Sequence, residues 1–169
     1  AAQAIGISGR PAEPDVDSER KYLTALFVDI KDSMRMAQAI DAEQWHSFMD
    51  KFLRLISDCV GEFGGMVAQY MGDGAMALFG APRAHEDHAL RACHAAVRLR
   101  DRVGALANEL RDDLPVELAV RIGLNSGEVV VGSIGDERHG AYTAQGFAIG
   151  LAARMESITS GPSAAATAA

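Results

Sequence analysis

The sequence predicts an α+β domain in which helices pack on one face of a mainly antiparallel β-sheet. Three observations lead to this prediction. Short runs of apolar and β-favouring residues recur along the chain, longer segments carry apolar residues at the helical period, and turn signals separate the two kinds of segment. The first run, residues 22–30, is too short and too rich in β-favouring residues for a helix, and it predicts a buried strand.

Two helices are predicted after this strand. The first covers residues 33–40. In the second, Asp41 is placed as the N-cap, Gln44 occupies the capping-box position, and Gly64 and Gly65 end the helix. The residues that recur at the helical period are Trp45, Phe48, Met49, Phe52, Leu55, Ile56, Cys59, Val60 and Phe63. We expect this apolar face to pack on the sheet.

The second half of the chain adds a hairpin, two helices and further strands. Residues 69–80 predict two short strands joined at Gly72-Asp73-Gly74, because glycine adopts the positive φ that tight turns need. The elements predicted next are a helix over 86–110, strands over 116–125 and 129–134 bent at Ser126-Gly127, and a helix over 147–158. The order β-α-α-β-β-α-β-β-α is related to the ferredoxin-like arrangement.

Composition predicts one folded domain within the 169 residues. Residues 1–19 are expected to be a linker or disordered segment, residues 20–160 the domain, and residues 161–169 a frayed or truncated tail. The net charge of −7 argues against nucleic acid as a partner, since binding its phosphates needs a basic face. No apolar stretch reaches the roughly 18 residues of a membrane span, so we expect no membrane contact from this segment and a cytoplasmic location.

Two aspartates at strand ends carry the main chemical signal. Asp29 closes the first strand and Asp73 lies in the hairpin turn. An ionised aspartate is rarely left unpaired in an interior, so packing alone does not explain them, although Asp-Gly is also an ordinary turn pair. Magnesium prefers one or two carboxylates together with phosphate oxygens. The pair therefore predicts a Mg²⁺ or Mn²⁺ site in an enzyme that acts on a nucleotide.

Five stretches, in this order and spacing, resemble the catalytic domain of the class III adenylate and guanylate cyclases over about residues 20–160. They are Phe27-Val28-Asp29-Ile30, Gly72-Asp73-Gly74 with Phe79-Gly80, Arg121-Ile122-Gly123-Leu124-Asn125-Ser126-Gly127, Val131-Gly132-Ser133-Ile134-Gly135 and Leu151-Ala152-Ala153-Arg154-Met155-Glu156. The variant looks most like bacterial cytosolic members. The resemblance implies the ferredoxin-like nucleotidyl cyclase fold and conversion of ATP to 3′,5′-cyclic AMP and pyrophosphate.

The resemblance also implies how the site holds metal and phosphate. Two divalent ions, Mg²⁺ or Mn²⁺, are expected on Asp29, Asp73 and the backbone carbonyl of Ile30, where they stabilise the attacking and leaving oxygens. The segment Lys31-Asp32-Ser33 leads into the short helix and is expected to offer backbone N–H groups to phosphate.

Two arginines complete the implied catalytic set. Arg121 is expected to neutralise the β- or γ-phosphate, and Arg154 to stabilise charge at the α-phosphate in the transition state. In this family the site is built across a dimer interface, so Asp29 and Asp73 of one chain act with Arg154 of the partner. We therefore expect a homodimer with two equivalent sites and an inactive monomer. Ordinary ion pairing is the alternative explanation for either arginine.

Gln69 and Thr143 stand where adenylate cyclases of the family read the adenine, usually with a lysine and with an aspartate or threonine. A glutamine amide can face either way, and a threonine both donates and accepts, so GTP is the alternative substrate. ATP is favoured because guanine-specific members usually present a glutamate at the position of Gln69. The alternative is that both are ordinary strand residues.

Two departures from the family pattern bear on activity. Gly150 stands where the family has an asparagine that orients the ribose, and losing such a contact costs a factor of about 10²–10³ in rate. The family's triphosphate-binding lysine belongs to a later strand, beyond residue 169. A catalytically weak or inactive cyclase-like domain with a regulatory or dimerisation role is therefore the second hypothesis. The acidic charge and the absence of an aromatic pair on a central strand argue against an RNA-binding domain.

Overall fold

The computed structural model describes residues 19–111, 117–134, 141–158 and 164–167. In these ranges the chain forms β1 (Glu19–Ile30), α1 (Ser33–Ala39), α2 (Ala42–Glu62), β2 (Met66–Met71), β3 (Gly74–Phe79), α3 (His88–Glu109), β4 (Val120–Ile134), β5 (Ala141–Gln145), α4 (Phe147–Ser157) and β6 (Ala164–Thr167). Of the expected linker, only Glu19 is described, and it begins β1. Of the expected tail, the described residues form β6.

The strands form one sheet in the order β2-β3-β1-β4-β5, with β6 beside β4. β6 runs parallel to β4, and the other pairings are antiparallel. The prediction of an α+β fold with a mainly antiparallel sheet is confirmed. β2 and β5 lie at opposite ends of the strand order yet contact each other, so the sheet is strongly curled.

The central strand β1 is apolar on both faces, and different helices cover the two faces. Leu26 and Val28 pack into a cluster with residues of α2 and α3, whereas Ala25 and Phe27 pack with residues of α4. Successive side chains of a strand point to opposite faces, so α4 lies across the sheet from α2 and α3. The expectation that the helices cover one face therefore holds for α2 and α3 and is wrong for α4. A strand that is apolar on both faces needs cover on both.

β4 is one continuous strand of 15 residues, where two strands bent at Ser126-Gly127 were expected. The hydroxyl groups of Ser126 and Thr24 are hydrogen-bonded at 2.7 Å, and both residues are buried. A Cβ at Gly127 would lie 2.7 Å from the Cβ of Ala148 in α4. These contacts with β1 and α4 hold Ser126 and Gly127 in the extended conformation, although both residue types are common in turns. The strand that pairs with the end of β4 is β5, which is missing from the predicted order of elements, although Thr143 as an ordinary strand residue is one of the alternatives given above.

The start of α2 and the turn of the β2–β3 hairpin lie where short sequence patterns predicted them. The Asp41 side chain accepts hydrogen bonds from the N–H groups of Glu43 and Gln44, each at 2.9 Å, so Asp41 is the N-cap of α2 as predicted. Gly72 has a φ of 62° in the turn between β2 and β3. In the described part of the chain, none of the helices is long and apolar enough to cross a membrane.

Candidate active site

The end of β1 and the turn between β2 and β3 bring Asp29 and Asp73 to the same place. Asp29 is paired with Gly74 in the β1–β3 ladder, and the Ile30 N–H donates to the Asp73 carbonyl oxygen at 3.3 Å. Both aspartates line one pocket of about 170 Å³, together with Glu156 of α4. The structure thus brings together the two carboxylates that the sequence singled out.

Gly74 allows the turn to lie this close to β1. A Cβ added at Gly74 would collide with the Val28 carbonyl oxygen and would lie 3.2 Å from Oδ1 of Asp29. A side chain at this position would therefore push the turn away from the end of β1. The glycine after Asp73 thus sets the distance between the two carboxylates.

Arg121 of β4 bridges two carboxylates on the pocket wall. It is paired with Asp29 in the β1–β4 ladder, and its Nη2 donates to Oδ2 of Asp29 at 2.6 Å. Its Nε lies 2.9 Å from Oε1 of Glu156, but the two atoms lack the alignment of a hydrogen bond. The three side chains are 29%, 24% and 13% exposed for Arg121, Asp29 and Glu156, so the pairs are shielded from solvent. Shielded ion pairs are screened less by salt than surface pairs.

Burial and crowding of negative charge raise the pKa of two acids in the pocket. For Asp29 the desolvation of the carboxylate raises the pKa, the hydrogen bond from Arg121 opposes this, and the charge of Asp73 adds to the rise. For Glu156 burial also raises the pKa, against the attraction of Arg121. The pKa of Arg121 is raised: burial lowers it, but the hydrogen bond to Asp29 and the charge of Glu156 outweigh burial. The pocket therefore has an excess of negative charge that a cation would relieve.

The donor set fits a divalent cation that is completed by substrate. Asp29 and Asp73 both line one pocket, and the charge of Asp73 raises the pKa of Asp29. Within the described ranges, no group of three or more His, Cys, Asp or Glu side chains is arranged to hold a metal ion. Two carboxylates, with phosphate and water left to fill the remaining positions, is the arrangement that magnesium prefers.

The family of the chain follows from its match to known proteins. Residues 16–166 match the adenylate and guanylate cyclase catalytic domain. The chain belongs to this cyclase family. Adenylate cyclase 1 of Rhizobium meliloti (strain 1021) is 31% identical over 139 residues, which are 82% of this chain and 21% of that protein. The chain therefore spans about a fifth of the length of this relative.

Solved cyclase structures share the fold. The adenylyl cyclase CyaB from P. aeruginosa superposes with a TM-score of 0.83 at 26% identity, over 89% of this chain and 79% of that chain. The guanylyl cyclase Cya2 superposes with a TM-score of 0.79 at 31% identity, over 85% of this chain and 73% of that chain. One of these neighbours is an adenylyl cyclase and the other a guanylyl cyclase, so the fold does not decide which base the domain reads.

The segment Lys31-Asp32-Ser33, where phosphate binding is expected, is partly engaged in hydrogen bonds within the chain. The Lys31 N–H donates to the Ala119 carbonyl oxygen at 2.9 Å. Asp32 has a φ of 55°, and its carbonyl oxygen accepts from the N–H groups at the start of α1. The expectation that backbone N–H groups here meet phosphate therefore rests on Asp32 and Ser33 more than on Lys31.

Arg154 is not brought to the pocket of its own cyclase domain. It is exposed on α4 and lines a separate depression of about 120 Å³ with Phe147, Gly150 and Leu151. The Phe147 side chain is 83% exposed. Apart from the adjacent residues and backbone of α4 itself, no atom of the described residues lies within 4 Å of where a Cβ of Gly150 would be, so this surface has room for a side chain.

The two candidates for reading the base lie on strands that contact each other. Gln69 is exposed on β2, and Thr143 on β5 is paired with Gly132 of β4. The curl of the sheet brings β2 and β5 into contact, although they are at opposite ends of the strand order. The two positions therefore lie on strands that contact each other.

Glu156 lines the pocket, although the sequence indicates no catalytic or metal-binding role for it. The sequence offers Glu156 only as the last residue of the stretch from Leu151 to Glu156 and as an ordinary ion-pair partner of Arg154, whereas the structure pairs it with Arg121. Two positions along a helix correspond to a rotation of about 200°, so Glu156 points away from the side that carries Arg154. The sequence does contain one signal for this position. Glu156 is a carboxylate on a mainly apolar helix, on the side opposite Arg154. Its partner, Arg121, is 35 residues away and could not be read from spacing.

Proposed function

We propose that this domain is a nucleotidyl cyclase that converts ATP to 3′,5′-cyclic AMP and pyrophosphate as a cytoplasmic homodimer with Mg²⁺ or Mn²⁺. The observation that carries the proposal is the convergence of Asp29 and Asp73 on one pocket, with Arg121 2.6 Å from Asp29, in a chain of the cyclase family. Adenylate cyclases among its relatives support ATP as the substrate. The choice between ATP and GTP belongs to Gln69 and Thr143.

In the proposed reaction, Asp29, Asp73 and the backbone carbonyl of Ile30 would hold two divalent ions. When bound, such ions stabilise the charge on the attacking 3′-oxygen and on the leaving pyrophosphate. A cation on Oδ2 of Asp29 would compete with the hydrogen bond that this oxygen now accepts from Arg121. The guanidinium lies beside the pocket, where it would pair with the β- or γ-phosphate.

The remaining roles divide between the two chains of the proposed dimer. The N–H groups of Asp32 and Ser33 bind phosphate oxygen in the chain that supplies the aspartates. Arg154 comes from the partner, which agrees with its exposure and with its separation from the pocket of its own chain. There it stabilises charge at the α-phosphate, while Gln69 and Thr143 of the same partner bind the base. The exposed Phe147 beside Arg154 supports contact with a second chain at this surface.

A second candidate function is a cyclase-like domain with a regulatory or dimerisation role. Gly150 favours it, because the surface beside Arg154 presents no side chain where the family has an asparagine. Such a domain would keep the dimer and the metal pocket but would have little or no turnover. Product formation separates the two candidates.

The test is cyclic nucleotide formation by the purified protein with Mn²⁺, given ATP and GTP in parallel. We expect cyclic AMP from the wild type and none from Asp29→Ala. The matched control is Asp50→Ala, which removes a carboxylate from an exposed pair with Arg54 and should leave the rate unchanged. A folded wild-type dimer that forms product from neither nucleotide would support the regulatory candidate. Preference for GTP would correct the substrate and keep the reaction.

A further inference from the structure

Glu156 is a shielded carboxylate on the pocket wall that takes no part in the reaction as described so far. Its side chain is 13% exposed, and it lines the pocket with Asp29 and Asp73. A shielded carboxylate is costly unless it is paired, and this one is placed where two other carboxylates already repel it. Among the described residues, the favourable charged neighbour of Glu156 is Arg121, which lies beside the pocket. The contact with Arg121 is therefore the interaction that offsets the cost of a carboxylate at this position.

The backbone fixes Glu156 beside Arg121. A Cβ at Gly123 would collide with the Glu156 backbone nitrogen and the Ala152 carbonyl oxygen, so α4 can lie directly on β4 at this point. Residues 121 and 123 share one face of β4 because side chains alternate along a strand. Because α4 packs directly on Gly123, Glu156 lies beside Arg121, which is two residues before Gly123 on the same strand. Asn125 holds the start of α4 through a hydrogen bond to the Ala148 carbonyl oxygen at 3.1 Å.

Arg121 has two carboxylate partners of unequal quality. The contact with Asp29 is a short, aligned hydrogen bond, whereas the contact with Glu156 at 2.9 Å is unaligned. Oδ2 of Asp29 cannot accept from Arg121 and bind a cation in the same direction. If a cation took the position on Oδ2 that Arg121 now occupies, the guanidinium would lose its better partner and would be repelled by the added charge. Glu156, already in contact, is the carboxylate that would then keep Arg121 beside the pocket.

We propose that Glu156 is a positioning residue that retains the Arg121 guanidinium beside the pocket when Asp29 takes up a divalent cation. This inference rests on the proposed function, since it concerns how the same site is prepared for a triphosphate. Glu156 contacts neither metal nor substrate in this scheme and acts through Arg121. Without it, Arg121 would either stay on Asp29 and compete with the cation or turn away from the pocket.

The first test measures Mn²⁺ binding without nucleotide, from the electron paramagnetic resonance signal of free Mn²⁺. The proteins are the wild type, Glu156→Gln, Arg121→Gln and the double variant. We expect Glu156→Gln to weaken Mn²⁺ binding about tenfold, within the range found for coupled contacting residues. In the Arg121→Gln background the same change should have little effect. An equal loss in both backgrounds would show that Glu156 acts on the cation directly and would overturn the proposal.

The second test compares steady-state kinetics of Glu156→Gln and Glu156→Asp. Glutamine keeps the size of the side chain and removes its charge, whereas aspartate keeps the charge and is shorter. A positioning role through charge predicts that Glu156→Gln raises KM for ATP about tenfold, with a smaller change in kcat, and that Glu156→Asp recovers part of the loss. A packing role predicts the reverse order. The matched control is Glu62→Gln, from the α2–α3 pair with Arg98, which should change neither parameter.

The two tests separate this inference from the proposed function. If the wild type makes no cyclic nucleotide, the proposed function fails, and the Mn²⁺ titration still decides the role of Glu156 because it needs no turnover. If the wild type is active and Glu156→Gln binds Mn²⁺ and ATP normally, the positioning role alone is refuted. Thermal melts of each variant show whether the protein is folded.

Discussion

Gly150 offers a prediction in which stability and activity can be separated. It lies within α4 and is exposed, and beyond the adjacent part of α4 no atom of the described chain lies within 4 Å of an added Cβ. Glycine is about 1 kcal/mol less favourable than alanine inside a helix, so Gly150→Ala should stabilise the fold by about that amount. For a chain of this size the gain corresponds to a rise of about 2–4 °C in Tm. Gly150→Asn should give a smaller rise, because asparagine is a weaker helix former than alanine.

The effect on activity should follow a different order. In the cyclase family the asparagine at this position orients the ribose, and restoring a positioning contact of this kind should raise kcat by a factor of about 10²–10³. Only Gly150→Asn can supply the contact, because alanine has no hydrogen-bonding group. The assay is the initial rate of cyclic AMP formation with Mn²⁺ at saturating ATP, together with thermal unfolding of the same samples.

Gly104 provides the matched control. It is an exposed glycine within α3, and the described chain likewise leaves the site of its Cβ open to 4 Å. Gly104→Ala and Gly104→Asn should shift Tm as the Gly150 variants do and leave the rate unchanged. If Gly150→Asn folds, melts as expected and is no faster than Gly150→Ala, then a missing ribose contact at this surface is not what limits turnover, and the reasoning is refuted.

Two further predictions concern the shared site and the effect of pH on stability. Chains carrying Asp73→Ala and chains carrying Arg154→Ala should each be inactive alone, and mixing them should restore one competent site per mixed dimer, or about a quarter of wild-type activity for random pairing of equal amounts. Burial lowers the pKa of His88, whose Nδ1 lies 2.8 Å from Oγ1 of Thr24, so the unfolded chain takes up a proton first as pH falls. The stability due to neutral His88 should therefore be present above the unfolded pKa of about 6.5 and be lost as pH falls from there through the lowered folded pKa. Urea unfolding at pH 7.5 and 5.5 measures this loss, and His88→Gln should reduce it.

Each of these has a control. For the mixing experiment, native mass spectrometry establishes that mixed dimers form, and mixed dimers without activity would contradict a site built from both chains. For the pH experiment, His46→Gln changes an exposed histidine of α2 and should leave the pH dependence as in the wild type. An identical loss of stability in wild type and His88→Gln would show that other groups cause it.

The parts of the fold that the sequence predicted depend on local signals. A run of apolar residues ending at Asp29, a Gly-Asp-Gly turn at Asp73 and an N-cap at Asp41 each determine structure within a few residues. The parts it missed depend on distant contacts. Ser126 looks like a turn residue but is held in β4 by a buried hydrogen bond with Thr24, which lies 102 residues earlier.

The same distinction applies to the site. The sequence identified Asp29 and Asp73 because carboxylates at strand ends are unusual, and Arg121 and Arg154 through the family resemblance. It did not show that Arg121 pairs with Asp29, because that contact depends on the register of β1 against β4. The contact between Glu156 and Arg121 could not be predicted for a further reason. It depends on α4 packing on the face of the sheet opposite α2 and α3.

The two sides of α4 have a consequence for a pair of chains. Glu156 faces the pocket of its own chain, and Arg154, two residues earlier on the same 11-residue helix, faces outward. In the proposed homodimer one short rigid helix therefore touches both catalytic centres. Any shift of Glu156 when the first centre fills is transmitted to the arginine that serves the second. The two centres should then respond to nucleotide cooperatively, with a Hill coefficient different from one, and Glu156→Gln should bring that coefficient closer to one.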